Sequence, residues 1–360
     1  MDLTRFFRPD YQSARAAFLV AAQGCGAVLE SVSHPEPGPD GQPIATDVAW
    51  IGPRDAERVM VVLSGTHGVE GFCGSGAQLH WLLGPGPAAL PRGIAALLVH
   101  AVNPFGFAWQ RRVDHQNIDL NRNWIDFAAG APANPGYGKL HQSLLPATWG
   151  AKSIGDVRKA IADYASEHGE PALRFALTGG QYQAPEGIFF GGNAPAWSRA
   201  TMTAIYTGFL AQARRIVVLD YHSGLGESGM VEQLSPACSD EPEFDRAARC
   251  FGAAVVSVAD GASSSAKVGG DGMSSIGRLL PWAEVTTLGM EFGTQPFHDV
   301  LEALLADNWL HARGDPLGPA AVAIKRQLKA AFCGEDDVWR AMVVAQSGLA
   351  LRQAAGFLAH

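Results

Sequence analysis

Hydrophobic positions change period several times along the chain, and each change marks an element. Tyr11, Ala14, Phe18, Leu19 and Ala22 recur at helical spacing and predict a helix over residues 10–32. Ser33 to Gln42 is rich in Pro and Gly and reads as a loop. Ile44 to Ile51 alternates toward strand, whereas Arg58 to Leu63 is a mostly apolar run, the pattern of a strand covered on both faces. A glycine-rich start, Gly68 to Gly76, leads into a helix through Leu83, and Gly93 to Val102 is a further buried strand ending at Asn103-Pro104. Ile216–Leu219 and Val285–Met290 are two more apolar runs of strand length. Residues 130–150 and 178–198 read as long loops, residues 260–265 and 269–272 as short ones, and residues 317–358 as helical. Short buried strands alternating with helices predict an α/β fold with a mixed, mainly parallel twisted sheet and helices on both faces. No repeat, low-complexity stretch or linker interrupts this pattern, so a single domain over residues 1–360 is expected.

Composition narrows the function classes. The chain has 360 residues, 47% apolar and 17% charged, enough for a sizeable core without disulfides. A net charge of −8 spread along the chain argues against nucleic acid and anionic membranes as partners. The N-terminus has no long apolar segment after its basic residues, so neither a signal peptide nor a membrane span is expected. Five scattered cysteines without a CxxC fit reduced thiols and a cytoplasmic location. Cys73 reads as a packing residue of the helix after Gly68 rather than as a metal ligand.

Sheets of this kind bind their ligands at the carboxyl ends of the strands. His67, Asn103 and His222 fall at such ends, and Val285–Met290 delivers Glu291. A histidine and a carboxylate three positions apart, His67 and Glu70, reach one metal ion from a strand-to-helix turn, and His222 closes the set from a distant segment. A loop histidine bonded to backbone satisfies the same pattern. The segment Arg111–Trp124 is dense in polar groups between apolar stretches, and an arginine fork suits a carboxylate or a developing oxyanion. Ser64, Ser75 and Ser223 lie near histidines but no Gly-x-Ser-x-Gly elbow surrounds them.

Five motifs occur in order: Gly65-Thr66-His67-Gly68-Val69-Glu70-Gly71, Asn103-Pro104-x-Gly106, Asp119-Leu120-Asn121-Arg122-Asn123, Asp220-Tyr221-His222-Ser223-Gly224, and a late strand ending in Glu291. Together, over roughly residues 55–300, they resemble the zinc carboxypeptidase superfamily, in particular its succinylglutamate desuccinylase and aspartoacylase branch. Gly179–Gly192 is similar to an uncharacterised bacterial carboxypeptidase-like group within it. The resemblance implies a zinc carboxypeptidase-like fold and one Zn2+ per chain, held by His67, Glu70 and His222, with Asp119 orienting the first histidine. It implies Arg112 (or its neighbour Arg111) at the oxyanion, Asn121 and Arg122 at a substrate carboxylate, and Glu291 as general base. One departure is plain: no tyrosine follows Tyr221, although family members carry a mobile one before the glutamate. Tyr182 is the candidate to replace it at the substrate, or else it braces its loop.

The implied activity is zinc-dependent hydrolysis of amide bonds in small substrates that bear a carboxylate. N-acyl amino acid deacylation is the alternative within that chemistry, and a metal-binding protein without turnover the alternative outside it. A small molecule or short peptide is the expected partner, and a homo-oligomer remains open.

Overall fold

The computed structural model describes residues 3–261, 263 and 268–360. Its strands are β1 (Val28–Ser33), β2 (Ala45–Ile51), β3 (Arg58–Ser64), β4 (Ile94–His100), β5 (Arg215–Gly224), β6 (Val231–Ser235), β7 (Val255–Ser257) and β8 (Glu284–Gly293). Among the described residues they form one eight-stranded sheet in the order β1-β2-β4-β3-β5-β8-β6-β7. The centre, β4-β3-β5-β8, is parallel throughout. β2 and β6 flank it antiparallel, and β1 and β7 form the edges. The expected mixed, mainly parallel α/β fold is therefore present.

Period-two alternation in the strands sorts the core into two layers. Met60, Val62, Leu98, Leu219 and Met290 face one layer, with Phe18, Leu79, Phe251 and Val343 from helices Tyr11–Gly24, Gly71–Leu83, Pro242–Phe251 and Asp337–Ala359. Val59, Val61, Leu97, Val218 and Val285 face the other, with Ile205 and Ile276 from helices Trp197–Phe209 and Met273–Leu279. Strands covered on both faces must be apolar at nearly every position, which is why β3, β4 and the first half of β5 are continuous hydrophobic runs.

Several expected elements are redrawn. The helix expected over residues 10–32 stops at Gly24, where the Cys25 N–H bonds back to carbonyls of the last turn. Gly26 then takes a positive φ of 71°, and the chain leaves as the edge strand β1. Within the loop expected over residues 130–150 lies helix Pro135–Leu144, capped by the Asn134 side chain. Asn and Pro, read there as breakers, are here the N-cap and first residue of a helix. Helices Ala151–His168 and Glu170–Thr178 follow. Residues 179–196 are a loop, and residues 317–358 are two helices, Pro319–Phe332 and Asp337–Ala359. Of the loop expected at residues 260–265, Ala262, Ser264 and Ser265 lie outside the described residues.

Candidate metal centre and active site

At the end of β3 the chain turns through Gly65, Thr66 and His67 into a single helical turn, Gly68–Glu70. This turn docks on the segment after β4. Gly68 N–H donates to the Arg112 carbonyl (3.1 Å) and Val69 N–H to the Arg111 carbonyl (2.8 Å). A Cβ on Gly68 would stand 2.0 Å from the backbone carbon of Gly106, so only glycine permits this approach. The two glycines of the first two motifs thus have a steric cause.

His67 Nδ1 lies 2.9 Å from Glu70 Oε1, and His222 Nδ1 lies 2.8 Å from Glu70 Oε2. All three side chains are buried and their donor atoms lie within 4.8 Å of one another. His222 sits inside β5 rather than past its end, and Glu291 inside β8, directly opposite it in register. Neighbours in register point to the same face, so the register itself brings the histidine and the glutamate together.

The far nitrogen of each imidazole meets a carboxylate. His67 Nε2 is 3.3 Å from Asp119 Oδ1, and His222 Nε2 is 3.1 Å from Asp220 Oδ2. Asp220 is itself held by the Thr66 hydroxyl, which donates to Oδ1 at 2.8 Å. Burial opposes charge on Glu70, yet His67 and His222 hold its carboxyl below the usual range. Burial likewise opposes charge on His222, but Asp220 and Glu70 raise its pKa well above the ordinary histidine value. Two imidazoles and one carboxylate, each backed by an outer partner and brought together from the turn after β3 and from within β5, form a donor set that fits a divalent cation such as zinc.

Arg112 faces this centre. Its Nε donates to Asp119 Oδ2 (2.9 Å) and its Nη1 to Glu70 Oε1 (3.0 Å), and Nη2 stands 2.8 Å from His67 Nε2. Arg111 turns away, toward Asp307 (3.1 Å) and Asn117 (2.9 Å). Of the tandem, only Arg112 lines the cavity at the centre. Glu291 lines it too, and accepts from the Leu225 N–H at 3.0 Å. Burial and then the nearby Glu70 push its carboxyl up to about 7.

Asn121 and Arg122 line the same cavity. Arg122 is pinned by the Thr178 carbonyl (Nη2, 2.6 Å) and the Asn121 carbonyl (Nη1, 3.0 Å), and Asn121 Oδ1 accepts from Gly272 N–H at 3.0 Å. Tyr182 is not part of the described cavity wall. Its hydroxyl donates to the Arg122 carbonyl at 2.6 Å, so it braces the segment that carries the two polar residues. Cys73 is buried among core side chains, outside the donor group. The cavity measures about 230 Å³. The rest of its wall is mixed: Arg174, Thr178, Asp271 and Ser274 are polar, while Leu234 and Met273 are apolar, as are Leu301, Leu304 and Phe332 from the C-terminal third.

Residues 7–346 match the family described as protein of unknown function, DUF2817. The chain belongs to that family. No curated protein matches it. Among solved structures it is similar to the carboxypeptidase A of Helicoverpa armigera, at 12% identity over 91% of this chain and 74% of that one, with a TM-score of 0.48. It is also similar to bovine thrombin-activatable fibrinolysis inhibitor in complex with a tick carboxypeptidase inhibitor (11% identity, 99% of each chain, TM-score 0.49). A third similar structure is a putative succinylglutamate desuccinylase/aspartoacylase family protein from Shewanella amazonensis (17% identity, 80% of this chain and 73% of that one, TM-score 0.37). Among the described residues of this DUF2817 chain, no helix is long and apolar enough to cross a membrane.

Sequence reasoning overlooked Asp220, although it sits two residues before His222 in a strand and so on the same face. Asp220→Asn is expected to weaken binding of a divalent cation at this group by about 10–100-fold, because an outer partner fixes the imidazole's orientation and tautomer. Chelator competition measures this, and wild-type affinity in the variant would strip Asp220 of that role. Phe332, Leu301 and Leu304 had no local signal at all, since nothing in a helical apolar pattern says which cavity it borders.

Proposed function

We propose that this chain is a zinc-dependent hydrolase that cleaves an amide bond in a small substrate bearing a free carboxylate. The observation that carries the proposal is the placement of Glu291, opposite His222 in register, beside a three-donor group that opens into a cavity. A site built only to store a cation has no use for a proton acceptor there.

When bound, zinc supplies Lewis acidity, which polarises a carbonyl and lowers the pKa of water. His67, Glu70 and His222 would hold it. The protein's own groups do the rest. Glu291 takes the proton of the attacking water and returns it to the leaving nitrogen, a role suited to a carboxyl displaced toward neutral pH. Arg112 donates to the oxygen that gains charge as the carbonyl becomes tetrahedral. Asn121 and Arg122 place the substrate by its carboxylate, and wall residues such as Leu234, Leu301 and Phe332 pack against its apolar part. A cavity of about 230 Å³ has room for a dipeptide or an N-acyl amino acid.

A zinc-loaded screen of dipeptides against N-acyl amino acids tests this. Cleavage of either class supports hydrolysis and says which acyl group is preferred. Bound zinc with no cleavage across both classes would favour a metal-binding protein without turnover. Within a cleaved substrate pair, Arg122→Ala should cost the free acid about 10²-fold, the weight of a charge-assisted pair of hydrogen bonds, and the amidated analogue far less. An equal loss on both would remove Arg122 from carboxylate recognition.

A further inference from the structure

Helix Pro319–Phe332 lies beyond the span of the five motifs, yet it reaches both halves of the metal centre. Its last carbonyls are taken by side chains from β5, the strand of His222, and from the segment just after β8, the strand of Glu291. The Ser223 hydroxyl donates to the Phe332 carbonyl (2.6 Å), the Thr294 hydroxyl to that of Ala331 (2.6 Å), and the Gln295 amide to that of Ala330 (3.1 Å). Two turns earlier, Lys325 Nζ donates to Asp307 Oδ1 (2.5 Å), approaches the Gln110 carbonyl (3.4 Å) and stands 2.8 Å from His311 Nε2. The other oxygen of Asp307 accepts from Arg111 Nε. Arg111 and Arg112 in turn offer the backbone carbonyls on which Val69 and Gly68 are hung.

We infer that Asp307 and Lys325 are positioning residues: they lock the Arg111–Arg112 segment to helix Pro319–Phe332, and so hold the His67–Glu70 turn and the Arg112 side chain against the strands of His222 and Glu291. A buried ionic knot is a poor source of stability, because desolvation offsets the attraction and apolar replacements often do as well. What it supplies is direction. The Arg111 fork accepts partners only in its plane, so Asp307 and Asn117 fix its rotation and leave Arg112, the next residue, facing the opposite way. Burial lowers Lys325 to about 8 against the pull of Asp307, which leaves it charged at neutral pH and the knot intact. The supporting role toward zinc rests on the function proposed above; the mechanical link does not.

The test uses the full chain with Asp307→Asn, Lys325→Met and the double variant, beside Ile324→Ala. Ile324 lies in the same helix but packs in a separate cluster with Ala306, Leu310 and Ala321. Hydrogen exchange of the Gly68 and Val69 amides is read first. It should accelerate about tenfold or more in each knot variant, no further in the double, and stay at the wild-type rate in Ile324→Ala even where Tm falls equally. Zinc affinity by chelator competition should drop about tenfold in the same three variants only. Unchanged exchange in the knot variants, or equal acceleration in Ile324→Ala, overturns the inference. If the wild-type chain takes up no zinc, the hydrolase proposal falls, while the exchange result still decides the knot.

Discussion

Glu291→Gln is expected to bind zinc as the wild type does and to lose turnover by about 10³–10⁴-fold. The amide keeps the shape of the carboxylate and its acceptor for the Leu225 N–H, so the strand and the three donors stay where they are. It cannot take a proton from water, and general base catalysis is worth about 10²–10⁴ in rate. The loss should fall on kcat, with KM little changed, because Glu291 lies opposite His222 rather than beside Asn121 and Arg122, the residues proposed to take the carboxylate. Steady-state kinetics on whichever substrate the screen yields, together with metal analysis of the same sample, give both readouts. A variant that turns over at near wild-type rate would remove Glu291 as the base.

His67→Ala should empty the site. Even an outer partner that only orients a ligand is worth about 10–100-fold in metal affinity, so loss of a donor itself should exceed about a hundredfold. The change also deprives Asp119 and Arg112 of the imidazole that both meet, although Arg112 keeps its bonds to Asp119 and Glu70. Elemental analysis after dialysis is expected to give close to one zinc per wild-type chain and close to none for the variant. Zinc retained at the wild-type level would exclude His67 from the donor set and with it the proposed centre.

Much of this arrangement was legible because local rules imposed it. Strands β3 to β5 announced themselves as apolar runs, since a strand covered on both faces has no polar side to show. The glycine pattern around His67 was legible as a motif, and its cause is the approach of Gly68 to Gly106. The helix expected to run to residue 32 was over-extended because the exit at Gly26 depends on β1 finding β2, a pairing with no local trace. Asn134-Pro135 read as a loop because the same residues that break a helix also begin one. The choice between Arg111 and Arg112 was open in the sequence, as adjacent residues of one type carry the same chemistry. It was decided by Asp307, nearly two hundred residues away, which draws one of them off.

The sequence by itself determined the chemistry of the donors and the alternation of strands and helices, because residue type and hydrophobic period act over a few positions. Tertiary structure alone decided which carboxylate backs which imidazole, which arginine faces the cavity, and that Tyr182 braces rather than lines it. Those outcomes depend on strand register and on helices packing from the far end of the chain. Hydrogen bonds and ion pairs reach only about 3 Å, so a contact between distant segments exists only once the sheet has set their separation.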